Sequence, residues 1–379
     1  MAGPPARICD VIIVGGGTVG CSAALHLALR GLDVVLLERG LVGEKASGLN
    51  FGGVRQQQRK LPELPLARRA RDMWDRFPQM LGSDCGFRPT GHLQMALSED
   101  ELAKLTAYAA AAGEHGLDLE MLSAAELRRR HPWAGPEVVG GSWSPTDGQA
   151  DPTTVTPAFA AAARQAGATI HEGAPARHIS HDGDEFQVTA CTAAGDSLTF
   201  LSSHLINAAG AWANEIARQF GEPAPMAPRA PQMAESEPLP ALISPVLGCV
   251  SGAVYLRQAA DGRIFFGGGY GRLLDDGENA EPVEQTSRAT LAAALRLAPA
   301  LKDMKVRRAW SGVEGYMEDG VQVLGPSATT DGLLHGFGFS GHGFQIGPAA
   351  GAVLADLVLS GRSTTPIDAF AITRFAAAS

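Results

Sequence analysis

A chain of 379 residues, 45% hydrophobic and 19% charged, can bury a large core and has the size of two domains, or of one domain with a long insertion. A net charge of −9 argues against a nucleic-acid partner, since phosphate binding relies on clustered lysine and arginine. Five cysteines without a CxxC pair (Cys9, Cys21, Cys85, Cys191 and Cys249) argue against a disulfide framework or a zinc site and fit a reducing cytoplasm.

The N-terminal Met-Ala-Gly-Pro-Pro-Ala-Arg leads directly into a strand pattern and does not read as a signal peptide. Four β-branched residues, Val11-Ile-Ile-Val14, run into Gly15-x-Gly17-x-x-Gly20, which predicts a buried parallel strand, a tight turn and a helix. Glycine is needed there for the sharp turn and for close approach to a pyrophosphate, which would sit on the free N–H groups of the helix. That helix carries Ala23, Ala24, Leu27 and Ala28 and ends at Arg30-Gly31. A second strand, Leu32-Asp-Val-Val-Leu-Leu-Glu38, ends in the acid expected to accept an adenosine ribose hydroxyl. Strand, glycines, helix, strand and acid in register favour a dinucleotide site over a purely structural turn.

A loop of small residues follows, from Gly43 to Gly53, then a helical segment from about Leu64 to Phe77 with solvated arginines. Thr90–Leu97 reads as a strand and Glu99–Gly113 as an alanine-rich helix. Asp151 caps a helix that runs to Gly167, and strands follow at Ala168–Glu172, Phe186–Cys191, Ser197–Leu201 and His204–Asn207. Seven prolines between Gly221 and Pro245 exclude helix and mark entry into a second layer. Ala253–Arg257 and Arg263–Phe266 predict a hairpin, Arg288–Ala298 a helix, and Val306–Val313 a strand returning to the first domain. A final helix, started by Pro348, runs through Leu359. No apolar stretch approaches the roughly 20 residues that span a bilayer, so a soluble, cytoplasmic enzyme is expected.

Three segments together, Gly15-Gly-Gly-Thr-Val-Gly20 with Leu36-Leu-Glu-Arg-Gly40, Ile206-Asn-Ala-Ala-Gly-Ala-Trp212, and Gly338-Phe-Ser-Gly-His-Gly-Phe344, resemble the D-amino-acid oxidase superfamily of FAD enzymes. Within it, the chain resembles the branch of sarcosine oxidase, glycine oxidase and proline/hydroxyproline dehydrogenase. The motifs span nearly the whole chain in the family's order. The resemblance implies an α/β fold: a Rossmann-type, glutathione-reductase-like FAD-binding domain carrying an inserted, mainly antiparallel β-sheet substrate domain. The FAD domain is placed at 1–84, 146–221 and 305–379, and the substrate domain at 85–145 and 222–304.

The same resemblance implies a set of cofactor contacts. Gly15, Gly17, Thr18, Val19, Glu38 and Arg39 would hold the adenosine and pyrophosphate, with Ala46, Ser47, Gly48 and Asn50 along the pyrophosphate and flavin. Ala176 would meet adenine, although any hairpin entry could look the same. Ala209, Gly210 and Trp212 would close over the pyrophosphate, Trp212 being equally readable as a core aromatic. Gly312, Gly341, His342, Gly343, Phe344 and Gln345 complete the set, the last five at a helix N-terminus facing the flavin pyrimidine edge. Leu49 and Asn50 stand where covalent-flavin relatives attach the cofactor, which implies non-covalent FAD.

On the substrate side, Arg55 is the candidate to fork a carboxylate, with a plain surface arginine as the alternative. His342, Gln345 and Tyr255 are the other catalytic candidates, and Arg257 and Tyr270 could contribute. Gln345 stands where sarcosine oxidases have a lysine, and Phe265 where they have the lysine that assists reaction with oxygen. The first departure argues against carboxylate binding of the sarcosine-oxidase type, and the second favours a dehydrogenase over an oxidase. The expected reaction is oxidation of the C–N bond of an amino acid by hydride transfer to flavin N5, giving an imine. The expected substrate is a secondary amine such as sarcosine, proline or hydroxyproline, or a D-amino acid. The alternatives are an FAD-dependent 2-hydroxy-acid dehydrogenase and a flavoprotein subunit of a multi-subunit amine dehydrogenase. The electron acceptor (oxygen, a quinone or an electron-transfer protein) and a homo- or hetero-oligomeric state stay open, and no metal site is predicted.

Overall fold

The computed structural model describes residues 6–192 and 194–375. Val11–Val14 lies inside a six-stranded sheet whose order is Val323–Pro326, Leu333–Phe337, His204–Asn207, Val11–Val14, Val34–Leu37, Thr169–His171. All neighbours are parallel except the edge strand Val323–Pro326. Alternation of side chains along these strands separates two cores. Val11, Ile13, Val34 and Leu36 pack under the helices Thr18–Ala28, Pro152–Gln165 and Gly343–Ser360. Ile12, Val14, Val35 and Leu37 face a smaller sheet of Arg7–Ile8, Ser197–Ser202, Phe186–Cys191 and Ala176–His181. Burial on both faces is why the central strands read as continuous apolar runs.

A second, eight-stranded sheet has the order Val306–Ser311, Pro231–Ser236, Ile264–Tyr270, Tyr255–Gln258, Val246–Cys249, His92–Ala96, Gly140–Ser144, Glu120–Ser123. Its pairs are antiparallel except Val246–Cys249 with His92–Ala96. The proline-rich run thus contains strand, not helix, as its composition requires. One face of this sheet is covered by the helix Glu284–Leu297 through Ala294 and Leu297.

Several elements differ from expectation. Val306–Ser311 does not return to the first sheet: it pairs in register with Pro231–Ser236, Met233 opposite Trp310, and forms the edge of the eight-stranded sheet. The chain rejoins the six-stranded sheet only at Val323. The last helix begins at Gly343, so Pro348 lies inside it rather than at its start. The proline has no N–H for the Phe344 carbonyl, and its own carbonyl accepts from Ser22 Oγ at 2.7 Å, tying this helix to Thr18–Ala28. The two helices approach so closely that a Cβ on Gly351 would lie 2.6 Å from the Ala23 nitrogen. Gly343–Ser360 is also long and apolar enough to cross a bilayer, contrary to the sequence reading, but 72% of it is buried inside the fold. Residues Ala46–Leu49 form a short helix within the expected loop. In the helix Leu64–Asp75, Arg71 is buried rather than solvated, and its Nε donates to the Thr146 carbonyl at 2.5 Å.

Candidate functional site

A cleft of about 410 Å³ opens at the carboxyl ends of Val11–Val14 and Val34–Leu37, bordered by Val313–Gly315 and by residues between Gly336 and Phe344. Its first end is built from backbone. Gly15 has φ 111°, and a Cβ there would lie 2.3 Å from the Ala208 carbonyl oxygen. A Cβ on Gly20 would lie 2.0 Å from the Gly15 oxygen, so each of these glycines is sterically required. No side chain caps the helix Thr18–Ala28 at Gly17, which leaves its N-terminal N–H groups facing the cleft. Ser47 Oγ accepts from the Thr18 N–H at 3.0 Å and closes this turn from the opposite wall. Glu38 is fixed at the strand end by Gly16 N–H to Oε2 at 2.6 Å and Gly40 N–H to Oε1 at 2.8 Å.

A tether crosses the mouth of this end. The Arg39 guanidinium stacks on the Trp212 ring at 3.6 Å and pairs with Glu278 at 3.0 Å. Trp212 Nε1 donates to the Gly277 carbonyl at 3.2 Å, and Lys45 Nζ to the Glu278 carbonyl at 3.4 Å. The excursion that joins Arg272–Leu273 to Ala280–Glu281 therefore reaches back from the eight-stranded sheet onto the first domain.

The other end is built from side chains. Gly341, Gly343 and Phe344 line the cleft at the start of Gly343–Ser360, which again has no side-chain cap. His342 turns away from the cleft, and its Nδ1 lies 3.0 Å from both oxygens of the fully buried Glu63. Burial, with Arg59 nearby, lowers the imidazole to about 4, so it is neutral near pH 7 and donates Nδ1–H to Glu63. Burial alone would raise Glu63, but the hydrogen bond from His342 and the Arg59 charge hold it below the ordinary glutamate range. Gln345 is a buried strut. Its Oε1 accepts from Arg59 Nη2 at 3.3 Å, its Nε2 donates to the Ala67 carbonyl at 2.8 Å, and its carbonyl accepts from Trp74 Nε1 at 3.0 Å.

Arg59 itself is buried, with Nη1 unpartnered, and desolvation lowers it to about 9. The turn before it is strained, Gln58 taking φ 61°. Arg55 is half-buried, donates Nη1–H to the Gln57 carbonyl at 2.6 Å, and lies in the field of two buried acids, Asp147 and Glu63. Asp147 accepts from Gln56 Nε2 at 3.1 Å and from the Gln57 N–H at 3.3 Å, with its carboxyl raised by burial.

The cleft wall brings together Gly15, Gly17, Thr18, Val19, Glu38, Arg39, Ala46, Ser47, Asn50, Ala176, Ala209, Gly210, Trp212, Gly341, Gly343 and Phe344. It does not include Gly48, Gly312, His342 or Gln345. Gly48 packs against the Gly43 carbonyl and Gly312 against Leu49, while His342 and Gln345 serve Glu63 and Arg59. Arg55 and Tyr255 also stand outside the wall, Tyr255 packed edge-on against Phe51 with centroids 4.8 Å apart. Phe265 is less isolated from charge than its own side chain suggests, because the Arg257 guanidinium lies 4.3 Å over its ring. Sequence reading missed Glu314, an acid on the cleft wall whose Oε1 accepts from the Gly341 N–H at 2.7 Å. The signal available was an acid in a short strand pattern, Glu314–Met317, just beyond Gly312.

A family model described as FAD dependent oxidoreductase matches residues 10–357. The chain belongs to that family. Among curated relatives of this FAD dependent oxidoreductase is glycine oxidase of Bacillus licheniformis, 27% identical over 96% of this chain and 97% of that protein. A subunit of the opine oxidase of Rhizobium meliloti is 27% identical over 97% of each chain. The crystal structure of L-proline dehydrogenase from P. horikoshii superposes with a TM-score of 0.89 at 26% identity, covering 98% of this chain and 99% of that one. The residues present fit FAD. Gly15 and Gly20, where a Cβ would strike the Ala208 and Gly15 carbonyls, allow the tight turn that brings backbone close to a pyrophosphate, the start of the helix Thr18–Ala28 lines the cleft, and Glu38 would supply an acceptor for a ribose hydroxyl.

Proposed function

We propose that this enzyme oxidises the C–N bond of an amino acid, with secondary amines such as sarcosine, proline and hydroxyproline, or D-amino acids, as the substrate class. Bound non-covalently, FAD supplies the hydride acceptor, and the product is an imine. The observation that carries the reading is the second uncapped helix N-terminus at Gly341–Phe344, directed into the same cleft as the pyrophosphate cradle. Negative charge is stabilised there, which raises the driving force for oxidation of a bound amine. Two of the relatives carry amino acids in their names, glycine and L-proline.

Arg55, with the buried Arg59 behind it, is the candidate to hold a carboxylate. His342 and Gln345 act through Glu63 and Arg59 as positioning residues. Phe265 favours a dehydrogenase that passes electrons to a carrier other than oxygen. The opine oxidase relative is named as a subunit, which supports a second reading: that this chain works within a hetero-oligomer.

The test is anaerobic mixing of the yellow protein with a panel of amino acids and 2-hydroxy acids, followed by air. Loss of the flavin band at about 450 nm with secondary amines is expected, with slow recovery in air. Bleaching by hydroxy acids alone overturns the substrate class, and fast recovery overturns the dehydrogenase reading.

A further inference from the structure

We propose that Glu314 is the group that receives the substrate's amine: its carboxylate binds the ammonium and accepts one proton from it. This inference rests on the amino-acid reading above and names the residue that would take the other half of the zwitterion.

Glu314 differs from the buried glutamates of this fold. Glu63 is partnered by His342, Glu222 by His335 at 3.1 Å, and Glu235 by Arg263 and Arg308, each at 2.8 Å. Among the described residues Glu314 has no cation. Its single hydrogen bond is the Gly341 N–H on Oε1, which leaves Oε2 without a protein partner on the wall of the cleft. The missing cation is not for want of a neighbour. Arg229 stands directly opposite in the antiparallel register, yet its guanidinium lies 5.4 Å from each of the Tyr270 and Tyr316 rings and donates to the Tyr270 hydroxyl at 3.3 Å. Glu314 is half-buried on the cleft wall, so a ligand that fills the cleft would desolvate its carboxylate, and a desolvated carboxylate without a cation is costly. A ligand cation arriving in the cleft removes that cost.

The surroundings suit an amine. Tyr316 reaches the backbone beside the carboxylate, a Cβ on Gly341 lying 3.2 Å from its hydroxyl, and Tyr270 packs edge to face on Tyr316 at 5.9 Å. Tyrosine faces attract an organic cation. Tyr255 lies within the field of both Glu314 and Arg55, which push its phenol in opposite directions. An amino acid bound in the cleft would present its ammonium to Glu314.

The proton step balances simply. One N–H bond of the ammonium breaks, one O–H bond forms on Glu314 Oε2, and the amine keeps its lone pair. No electrons change hands in this step, and the product is the neutral amine that hydride loss requires. The groups that face Glu314 are the Gly341 N–H, Tyr255, Tyr270 and Tyr316, with Arg229 across the strand pair. Burial raises the carboxyl to about 7, while burial also pushes the phenols of Tyr255 and Tyr316 up and keeps them protonated, and His342 titrates near 4. Glu314 is thus the group of this cluster that changes charge near neutrality.

The experiment uses the FAD-loaded protein and two unreactive probes, isopropylammonium (an amine without a carboxylate) and propanoate (a carboxylate without an amine). Binding is read from perturbation of the flavin spectrum. Wild-type protein is expected to bind isopropylammonium more tightly as pH rises through about 7. Glu314→Gln, which keeps an oxygen for the Gly341 N–H, is expected to weaken that probe at least tenfold, abolish its pH dependence and leave propanoate within twofold. Glu314→Asp should restore part of the affinity and the pH dependence. Equal effects on both probes, no effect of Glu314→Gln, or no ammonium binding by wild type overturns the proposal. Because neither probe is oxidised, failure of every amino acid to bleach the flavin would sink the function reading without deciding this one.

Discussion

The two ends of the cleft are made of different material. The adenosine end is backbone: glycines that clear space, an uncapped helix and one acid at a strand terminus, all within Asp10–Gly40 and closed by Ala208–Trp212. The end proposed for the substrate depends on side chains: Glu314 on the wall, and outside the wall Arg55, Arg59, Glu63, Asp147 and His342, drawn from four separated stretches, with Arg59, Glu63 and Asp147 buried. A backbone site tolerates little change in shape and loses its ligand when crowded. A network of buried charges is bound up with the stability of the whole domain, because removing one group leaves its buried partners unsatisfied.

That contrast can be broken by experiment. The largest effect is expected from Glu63→Ala, which leaves His342 Nδ1–H without its acceptor and removes a negative charge from the neighbourhood of the buried Arg59. A loss of about 2–3 kcal/mol in unfolding free energy is expected. Chemical denaturation measures it, and a loss below about 1 kcal/mol would place Arg59 in water rather than in the interior.

Next comes acid sensitivity. The ordinary imidazole value is 6.5, but burial lowers His26 and His342 to about 4 and His92 to about 3. Between these values the unfolded chain binds protons that the folded chain refuses, so stability falls as pH drops from about 6.5 to about 4. Glu314, raised to about 7, and Asp147, also raised by burial, work in the opposite direction, while His131, His171 and His204 are lowered like the other three histidines. A melting temperature that holds constant across this window would contradict neutral, buried histidines.

Smaller effects belong to the backbone end and fall on the cofactor rather than on the fold. Gly15→Ala forces a side chain into φ 111° and against the Ala208 carbonyl. Strain of roughly 1–3 kcal/mol should leave the purified protein folded but largely colourless. Glu38→Ala removes the ribose acceptor and should weaken FAD by about 1–3 kcal/mol, read from the flavin released on dilution. If either variant instead lowered stability while keeping its cofactor, the two ends would not differ as described.

The same contrast decides what could be read from the sequence. The cradle was legible because its requirements are local: strand, Gly15, Gly17, Gly20 and Glu38 lie within one βαβ stretch, and steric demand leaves a glycine as its trace. Sixteen of the positions predicted to contact the cofactor do line the cleft. The substrate end left no such trace. His342 and Gln345 sit in the motif, yet helix geometry turns them inward to Glu63 and Arg59, which no spacing rule reveals. Glu314 could not be separated from any other acid until the strand Glu314–Met317 placed it beside Gly341. The sheet that Val306–Ser311 joins was not legible either, because an isolated strand pattern does not say which partner it will find.

The order of strands in the six-stranded sheet also sets a timetable for synthesis. Val11 pairs on one side with Val34, soon after it in the chain, but on the other with His204, and Leu205 pairs in turn with Leu333, so the glycine turn emerges from the ribosome long before that second neighbour exists. The wall that closes it arrives with Ala208, and the second helix N-terminus only with Gly343. A nascent chain therefore carries an exposed, unfinished parallel sheet for most of its translation, the kind of edge that invites aggregation.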